Sequence, residues 1–253
     1  METDADTAPS VWLENPVFWS PVPLIHKKKS ANVTALILVA MKKALFLSGG
    51  WPGHQPEKIV QLLAGELQRH DIACDTETSL DILTDTARLR TYDLISPCWT
   101  MGQLTKDQTR GLLDAIQGGV GLAGIHGGMG DAFRGNLDYE WMVGGLFVGH
   151  PHVGDYTVRV RDITSPITDG LPATFPYKSE QYYMLVDPGI QVLADADYVH
   201  EGRMTTMPVA WVKRWGRGRV FYCALGHAPE EFVQFPAALA LTTRGLLWAC
   251  GAL

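Results

Sequence analysis

The stretch that most constrains this chain is Gly119–Gly130, GVGLAGIHGGMG. An apolar run, Val120 to Ile125, leads straight into Gly124-Ile125-His126-Gly127-Gly128. A buried strand that ends on a glycine-flanked residue has the frame of a strand-to-helix elbow. Such an elbow exposes one side chain at the carboxyl end of a central parallel strand. The turn is sterically tight and its central residue strained, so its neighbours must be small. Ser or Cys is the usual occupant. Here it is His126, which exchanges a proton or binds a metal but replaces a thiolate poorly. The bland alternative is a tight glycine turn with a surface histidine.

From Met41 onward the punctuation is that of an α/β protein. Ala44–Ser48 is a buried-strand run that ends at Gly49-Gly50. After the loop Trp51–Gln55, Pro56 suits the first turn of a helix, and Ile59, Leu62, Leu63 and Leu67 mark its apolar face. Ala73–Thr78 and Tyr92–Pro97 read as the second and third strands. Thr105 and Gln108 form an approximate capping box for a helix that stops at Gly118-Gly119. This order, with short connections, predicts a parallel sheet covered on both faces, with its ligand crevice at the carboxyl ends of the strands. Three strand ends then meet at one rim: Gly49–His54, Cys98–Thr100 and His126–Asp131. The second half is richer in strand. Tyr156–Arg161 alternates, Gln191–Ala194 is a short strand, and Gly216-Arg217-Gly218 marks a hairpin between Val209–Val212 and Arg219–Cys223. A helix from about Phe232 to Trp248 closes the chain.

A chain of 253 residues suits one large α/β domain or two small ones. No linker or repeat interrupts 42–253, which reads as one domain. Residues 1–40 mix proline and aromatics without a period and read as a disordered extension, or as a start codon assigned too early, with Met41 the natural beginning. The net charge of −6 argues against nucleic acid as the main partner. No uninterrupted apolar run reaches the ~18 residues of a membrane span, which argues against a membrane partner. The four cysteines are scattered without a C-x-x-C pair, which suggests free thiols in a reducing, cytoplasmic compartment.

SGGWPGH, GIHGGMGDAFR, MVGGLFVGHP, SEQYYML and PVAWVKRWGRGRVFYCALGH follow one another in that order. Together they resemble the ThuA-like (trehalose utilisation) family of the class I glutamine amidotransferase-like superfamily, over essentially 42–253. The resemblance implies a flavodoxin-like α/β fold. This is a three-layer sandwich with a mostly parallel central sheet and a strand-rich second half. It also implies a role in sugar metabolism, on keto-sugars or glycosides. The chain departs from the superfamily's amidotransferases, which carry Cys in the elbow and a late His-x-Glu pair. It has His126 in the elbow, and its late histidine lies in Gly226-His227-Ala228-Pro229-Glu230. Glutamine hydrolysis through a thioester is therefore not expected, and Cys98 is read as a small buried hydrophobe rather than a relocated nucleophile.

The expected catalytic residues are His126, His150, Glu180 and His227. His150 belongs to His150-Pro151-His152, an H-x-H whose geometry Pro151 blurs, with His152 peripheral. Glu180 sits among aromatics, where a carboxyl suits general acid or base work. His227 opens the loop after a strand. The expected substrate contacts are Gly50, Trp51, His54, Trp99, Asp131 and Tyr182, with the aromatic rings offering flat faces to a sugar. Asp131 reads equally as the cap or first-turn acid of the helix after the elbow. The expected substrate is a small-molecule sugar, and a homo-oligomer stays open. No cofactor follows from spacing, but three histidines and a carboxylate also suit Zn²⁺ or Mn²⁺. A non-catalytic sugar-binding module and a metal-dependent hydrolase of another substrate stay open as alternatives.

Overall fold

The computed structural model describes residues 41–253, and the expectation for residues 1–40 falls outside them. In chain order the elements are β1 (Lys43–Gly50), α1 (Pro56–Gln68), β2 (Ala73–Glu77), α2 (Thr86–Leu89), β3 (Leu94–Thr100), α3 (Lys106–Gln117), β4 (Gly121–Ile125), α4 (His126–Gly130) and α5 (Leu137–Val143). The second half adds β5 (Gly145–Val160), β6 (Thr174–Val186), β7 (Gln191–His200), β8 (Arg203–Trp215), β9 (Gly218–Cys223), α6 (Pro229–Gln234) and α7 (Pro236–Cys250).

Alternation within β1 decides the layering. Ala44 and Phe46 enter one core with Ile59, Leu63 and Leu67 of α1 and Leu241 and Leu246 of α7. Leu45 and Leu47 enter the other with Leu112, Ala115 and Ile116 of α3 and Met142 of α5. A strand buried on both faces reads as a continuous apolar run, and that is why Ala44–Leu47 lacks polar residues. The capping box of α3 is present, with Thr105 and Gln108 bonding reciprocally. Pro56 opens α1 as expected.

The nine strands form one sheet in the order β2-β1-β3-β4-β9-β8-β7-β5-β6. The strands β2, β1, β3, β4 and β9 run parallel. From β9 outward every pairing is antiparallel: β9 with β8, β8 with β7, β7 with β5, and β5 with β6. The sheet is therefore mixed, which corrects the expectation of a mostly parallel one. The cause lies in the connections. A two-residue turn, such as Gly216-Arg217 between β8 and β9, can join only antiparallel strands, whereas parallel neighbours need a crossover.

Two other expectations change. The strands β5 and β6 run for 16 and 13 residues, far beyond Tyr156–Arg161, and β6 carries Glu180. The closing helix is two helices, because Pro236 lacks the N–H to continue α6 and instead opens α7. Among the described residues no helix is long and apolar enough to cross a membrane.

Candidate active site

Four parallel strands end at the same rim. The carboxyl ends of β1, β3, β4 and β9 deliver His54, Thr100, His126 and the Ala224–His227 segment respectively. The antiparallel half closes the site from the side with β5 and β6, which bring His150, Glu180 and Tyr182. The β5–β6 register slips between Phe147 and His152. Such a bulge re-aims a side chain locally, and here it turns His150 towards Glu180.

The elbow is real. β4 passes directly into α4, and His126 adopts φ 42°, in the left-handed region that non-glycine residues avoid. Its flanking glycines are needed for room. A Cβ on Gly124 would lie 2.7 Å from Cβ of Met129, and one on Gly128 would lie 3.0 Å from Cα of Cys98. Two main-chain contacts hold the strained residue. The Tyr222 hydroxyl donates to the His126 carbonyl at 3.1 Å, and the His126 ring Nδ1–H donates to the Ala224 carbonyl at 2.9 Å. Of the five non-glycine residues with positive φ among the described residues, Gln55, Met101 and His126 all flank this rim.

Glu180 is the hub. His126 Nε2 lies 3.2 Å from Oε2, His227 Nδ1 lies 3.4 Å from the same oxygen, and His150 Nε2 lies 3.6 Å from Oε1. His54 completes the group, its ring centroid 4.8 Å from that of His126 and 5.0 Å from that of His227. Its Nδ1 shares a 2.8 Å hydrogen bond with the Thr100 hydroxyl. Tyr182 stacks on His126 with centroids 3.9 Å apart.

Burial would raise the Glu180 carboxyl, but the facing imidazoles of His126 and His227 hold it well below the usual carboxylate range. The Glu180 carboxylate, 3.4 Å from Nδ1, pushes His227 up. His54 goes the other way, to about 3, through burial and then the like charges of His126 and His227. A neutral His54 therefore sits beside a carboxylate–imidazole cluster.

A cavity of about 190 Å³ opens onto the edge of this cluster, lined by His54, His150, Glu180 and Tyr182 together with Trp51 and Phe147. It lies below the ~300–1,000 Å³ typical of drug-sized pockets, and so has room for one small ring.

With this geometry in view, the comparison with known proteins is decisive on one point. A family profile described as ThuA, trehalose utilisation, matches residues 43–249. The chain belongs to the ThuA family. Its fold is also similar to two solved ThuA-like proteins. One, from Bacteroides uniformis, is 20% identical with a TM-score of 0.68, over 83% of this chain and 91% of that one. The other, from Parabacteroides merdae, is 20% identical with a TM-score of 0.65, over 83% and 90%. A β-galactosidase from Rahnella sp. R3 contains a similar fold at 18% identity and a TM-score of 0.53. There the match covers 79% of this chain but only 30% of the enzyme. No curated protein matches the chain.

Within this ThuA-family member the expected residues fall into distinct places. His126, His150, Glu180, His227 and His54 converge, with His54 inside the cluster rather than merely at its rim. Trp51 and Tyr182 line the cavity. Gly50 is structural: it has φ 78°, and a Cβ there would lie 2.3 Å from the Thr100 carbonyl oxygen. Trp99 does not line the cavity, because its ring is packed over Gly49 and Gly102. Asp131 also lines the cavity but is not an N-terminal cap. It follows the last residue of α4, and its carboxylate grips Arg134 through two hydrogen bonds. His152 bonds the Asp155 carbonyl at 3.3 Å, away from the cluster. Cys98 is buried, its thiol pushed up to about 12 by that burial.

The sequence reading missed Phe147 and Arg134 in the cavity wall, and the partner of the His227 loop. Glu231 accepts from the Tyr177 hydroxyl at 2.6 Å, from the Ser179 hydroxyl at 2.6 Å and from the His227 N–H at 3.0 Å. The only available signal was an acid four residues after His227, next to the Glu230 that invited comparison with a His-x-Glu pair.

Proposed function

We propose that this protein is a carbohydrate-active enzyme that moves a proton next to the carbonyl of an oxidised sugar or glycoside. The observation that carries this reading is the convergence of four imidazoles around one carboxylate, Glu180, which with His54 and His150 lines a one-ring cavity with aromatic walls. The family's description, trehalose utilisation, supports a sugar as substrate. The cavity's size favours one ring entering while a second sugar stays at the mouth. A flavodoxin-like origin for the parallel half goes with the same reading, since its order 2-1-3-4 followed by β9 is that of such sheets. So does a cytoplasmic location, which would keep the thiols reduced.

In this reading His150, half-exposed at the mouth, takes the proton from the carbon beside the carbonyl. The electron pair passes into an enolate, whose oxygen is stabilised by His54, the other imidazole that lines the cavity. Where a glycosidic oxygen lies β to the carbonyl, the enolate re-forms the carbonyl and expels that oxygen, which leaves as an alcohol after protonation. Glu180 orients the rings and balances their charge. Trp51 and Tyr182 flank the sugar.

The test incubates the full chain with keto-glycosides and their unoxidised parents in deuterated buffer and follows both by NMR. Deuterium should enter at the carbon beside the carbonyl of the keto-sugar alone, and His150→Asn should slow that exchange by roughly 10²–10⁴-fold. Saturable binding without exchange or consumption across the keto-sugar panel sinks the enzyme reading and favours a sugar-binding module.

A further inference from the structure

We propose that His54, His126, Glu180 and His227 form a binding site for a divalent transition metal of the Zn²⁺ or Mn²⁺ class. The proposal deepens the reading above and rests on that pocket, though not on its substrate.

Which nitrogen carries a proton decides what each ring can offer. A carbonyl oxygen can only accept, so His126 Nδ1 must be the N–H that meets Ala224. In the neutral ring Nε2 is then a bare lone pair. It faces a carboxylate oxygen at 3.2 Å, an arrangement that needs either a second proton, on Nε2, or a cation between the two. His54 is compatible with the same pattern: when Nδ1–H donates to the Thr100 hydroxyl, which can either donate or accept, its Nε2 is left free. His227 supplies a third nitrogen. Its Nδ1 is buried, feels the charge of Glu180 at 3.4 Å, and makes no aligned hydrogen bond with any group among the described residues. Buried polar atoms are nearly always partnered, so an orphan aimed at a carboxylate points to a missing cation.

The spacing fits. Ligands held at ~2.1 Å around a tetrahedral or octahedral centre lie roughly 3.0–3.4 Å apart, and both pairs on Glu180 fall in that range. One donor atom from each of the four residues lies within 4.8 Å of every other. A donor pair at that outer limit would close by about 0.6 Å to sit trans in an octahedral centre, or by about 1.4 Å in a tetrahedral one, through χ rotations of the imidazoles. Three imidazoles and one carboxylate favour a borderline transition metal over Mg²⁺ or Ca²⁺, which prefer oxygen. Outer partners of the kind that orient metal ligands are already in place: Ala224 for His126, Thr100 for His54, and His150 beside the other oxygen of Glu180. A bound metal would polarise a sugar carbonyl at the floor and leave His150, outside the four, to carry the proton.

The competing arrangement puts a proton on His126 Nε2 and needs no metal. Elemental analysis of the untagged full chain, purified without chelator, separates the two. Isothermal titration of chelator-treated protein with ZnCl₂ and MnCl₂ completes the test. About one equivalent of metal per chain is expected. His227→Asn and Glu180→Gln should each weaken binding by more than tenfold. Thr100→Val, which leaves the four ligands intact, should weaken it by about 10–100-fold. Circular dichroism confirms that each variant is folded. Folded wild-type protein that binds neither ion saturably overturns the proposal, as does one equivalent bound equally well by His227→Asn and Glu180→Gln. Keto-sugar exchange by metal-free protein removes the need for a metal in the reaction and leaves the proposed function standing. One equivalent of metal without any exchange does the reverse.

Discussion

At the scale of the residue, His126 carries the clearest strain. A φ of 42° costs a β-carbon-bearing residue on the order of 1–3 kcal/mol, and Asn tolerates that region better than most. His126→Asn should therefore stay folded, with a melting temperature close to that of the parent, while turnover on a confirmed keto-sugar falls by roughly 10²–10⁴-fold. Full activity in the folded variant would reduce His126 to a structural turn residue. The neighbouring glycines act through space rather than through φ, since neither Gly124 nor Gly128 has a positive value. Gly124→Val drives a branched side chain into Met129, and overpacking of that kind costs about 1–3 kcal/mol. Urea unfolding should show the loss, and an unchanged midpoint would mean that Met129 swings aside freely. Cys98 is the opposite case. Its burial and raised pKa leave little thiolate at neutral pH, so Cys98→Ser should keep turnover within a few-fold, and native protein should resist alkylation there.

At the scale of the element, the loop after β9 is the part most dependent on distant residues. Glu231, in the first turns of α6, accepts from Tyr177 and Ser179 of β6 and from the main chain of His227. The Tyr177 hydroxyl in turn accepts from the Gly226 N–H at 2.9 Å. This clamp fixes His227 relative to Glu180, which neighbours Ser179 on the same strand. Glu231→Ala strips the partner from three donors, at roughly 1–3 kcal/mol for each that stays buried and unpaired. The expected result is a lower unfolding midpoint together with reduced turnover. Tyr177→Phe, which removes one link, should show a smaller version of both. Normal turnover in a destabilised Glu231→Ala protein would confine the clamp to stability.

At the scale of the whole molecule, the site stands at the junction of two kinds of sheet. The parallel strands present their carboxyl ends, and the antiparallel strands supply the wall that carries Glu180 and His150. A purely parallel sheet would have the elbow and His54 but no hub carboxylate. β1, the first strand described, is interior, paired with both β2 and β3, and the family match begins at Lys43. A chain beginning at Met41 is expected to keep the melting temperature and activity of the full chain. A large drop in either on truncation would assign the earlier residues a part in the fold.

The sequence alone determined the elbow, the start of α1, the boundaries of α3 and the convergence of three strand ends. Each of these is written in local terms: glycines where room is short, Pro56 at a first turn, and Thr105 three residues before Gln108. It also named all five members of the cluster: His54, His126 and His227 follow strand ends, whereas His150 and Glu180, within β5 and β6, stood out by residue type and neighbours. What only the tertiary structure decided depends on contacts between residues far apart in the chain. Pairing direction and register made the sheet mixed and turned His150 towards Glu180. Packing over Gly49 and Gly102 removed Trp99 from the pocket. The meeting of β6 with the loop after β9 set Glu231 on His227. Local pattern fixes which residues stand at strand ends, but side-chain chemistry at a site depends on distances of a few ångströms between segments as much as about a hundred residues apart, such as His126 and Ala224.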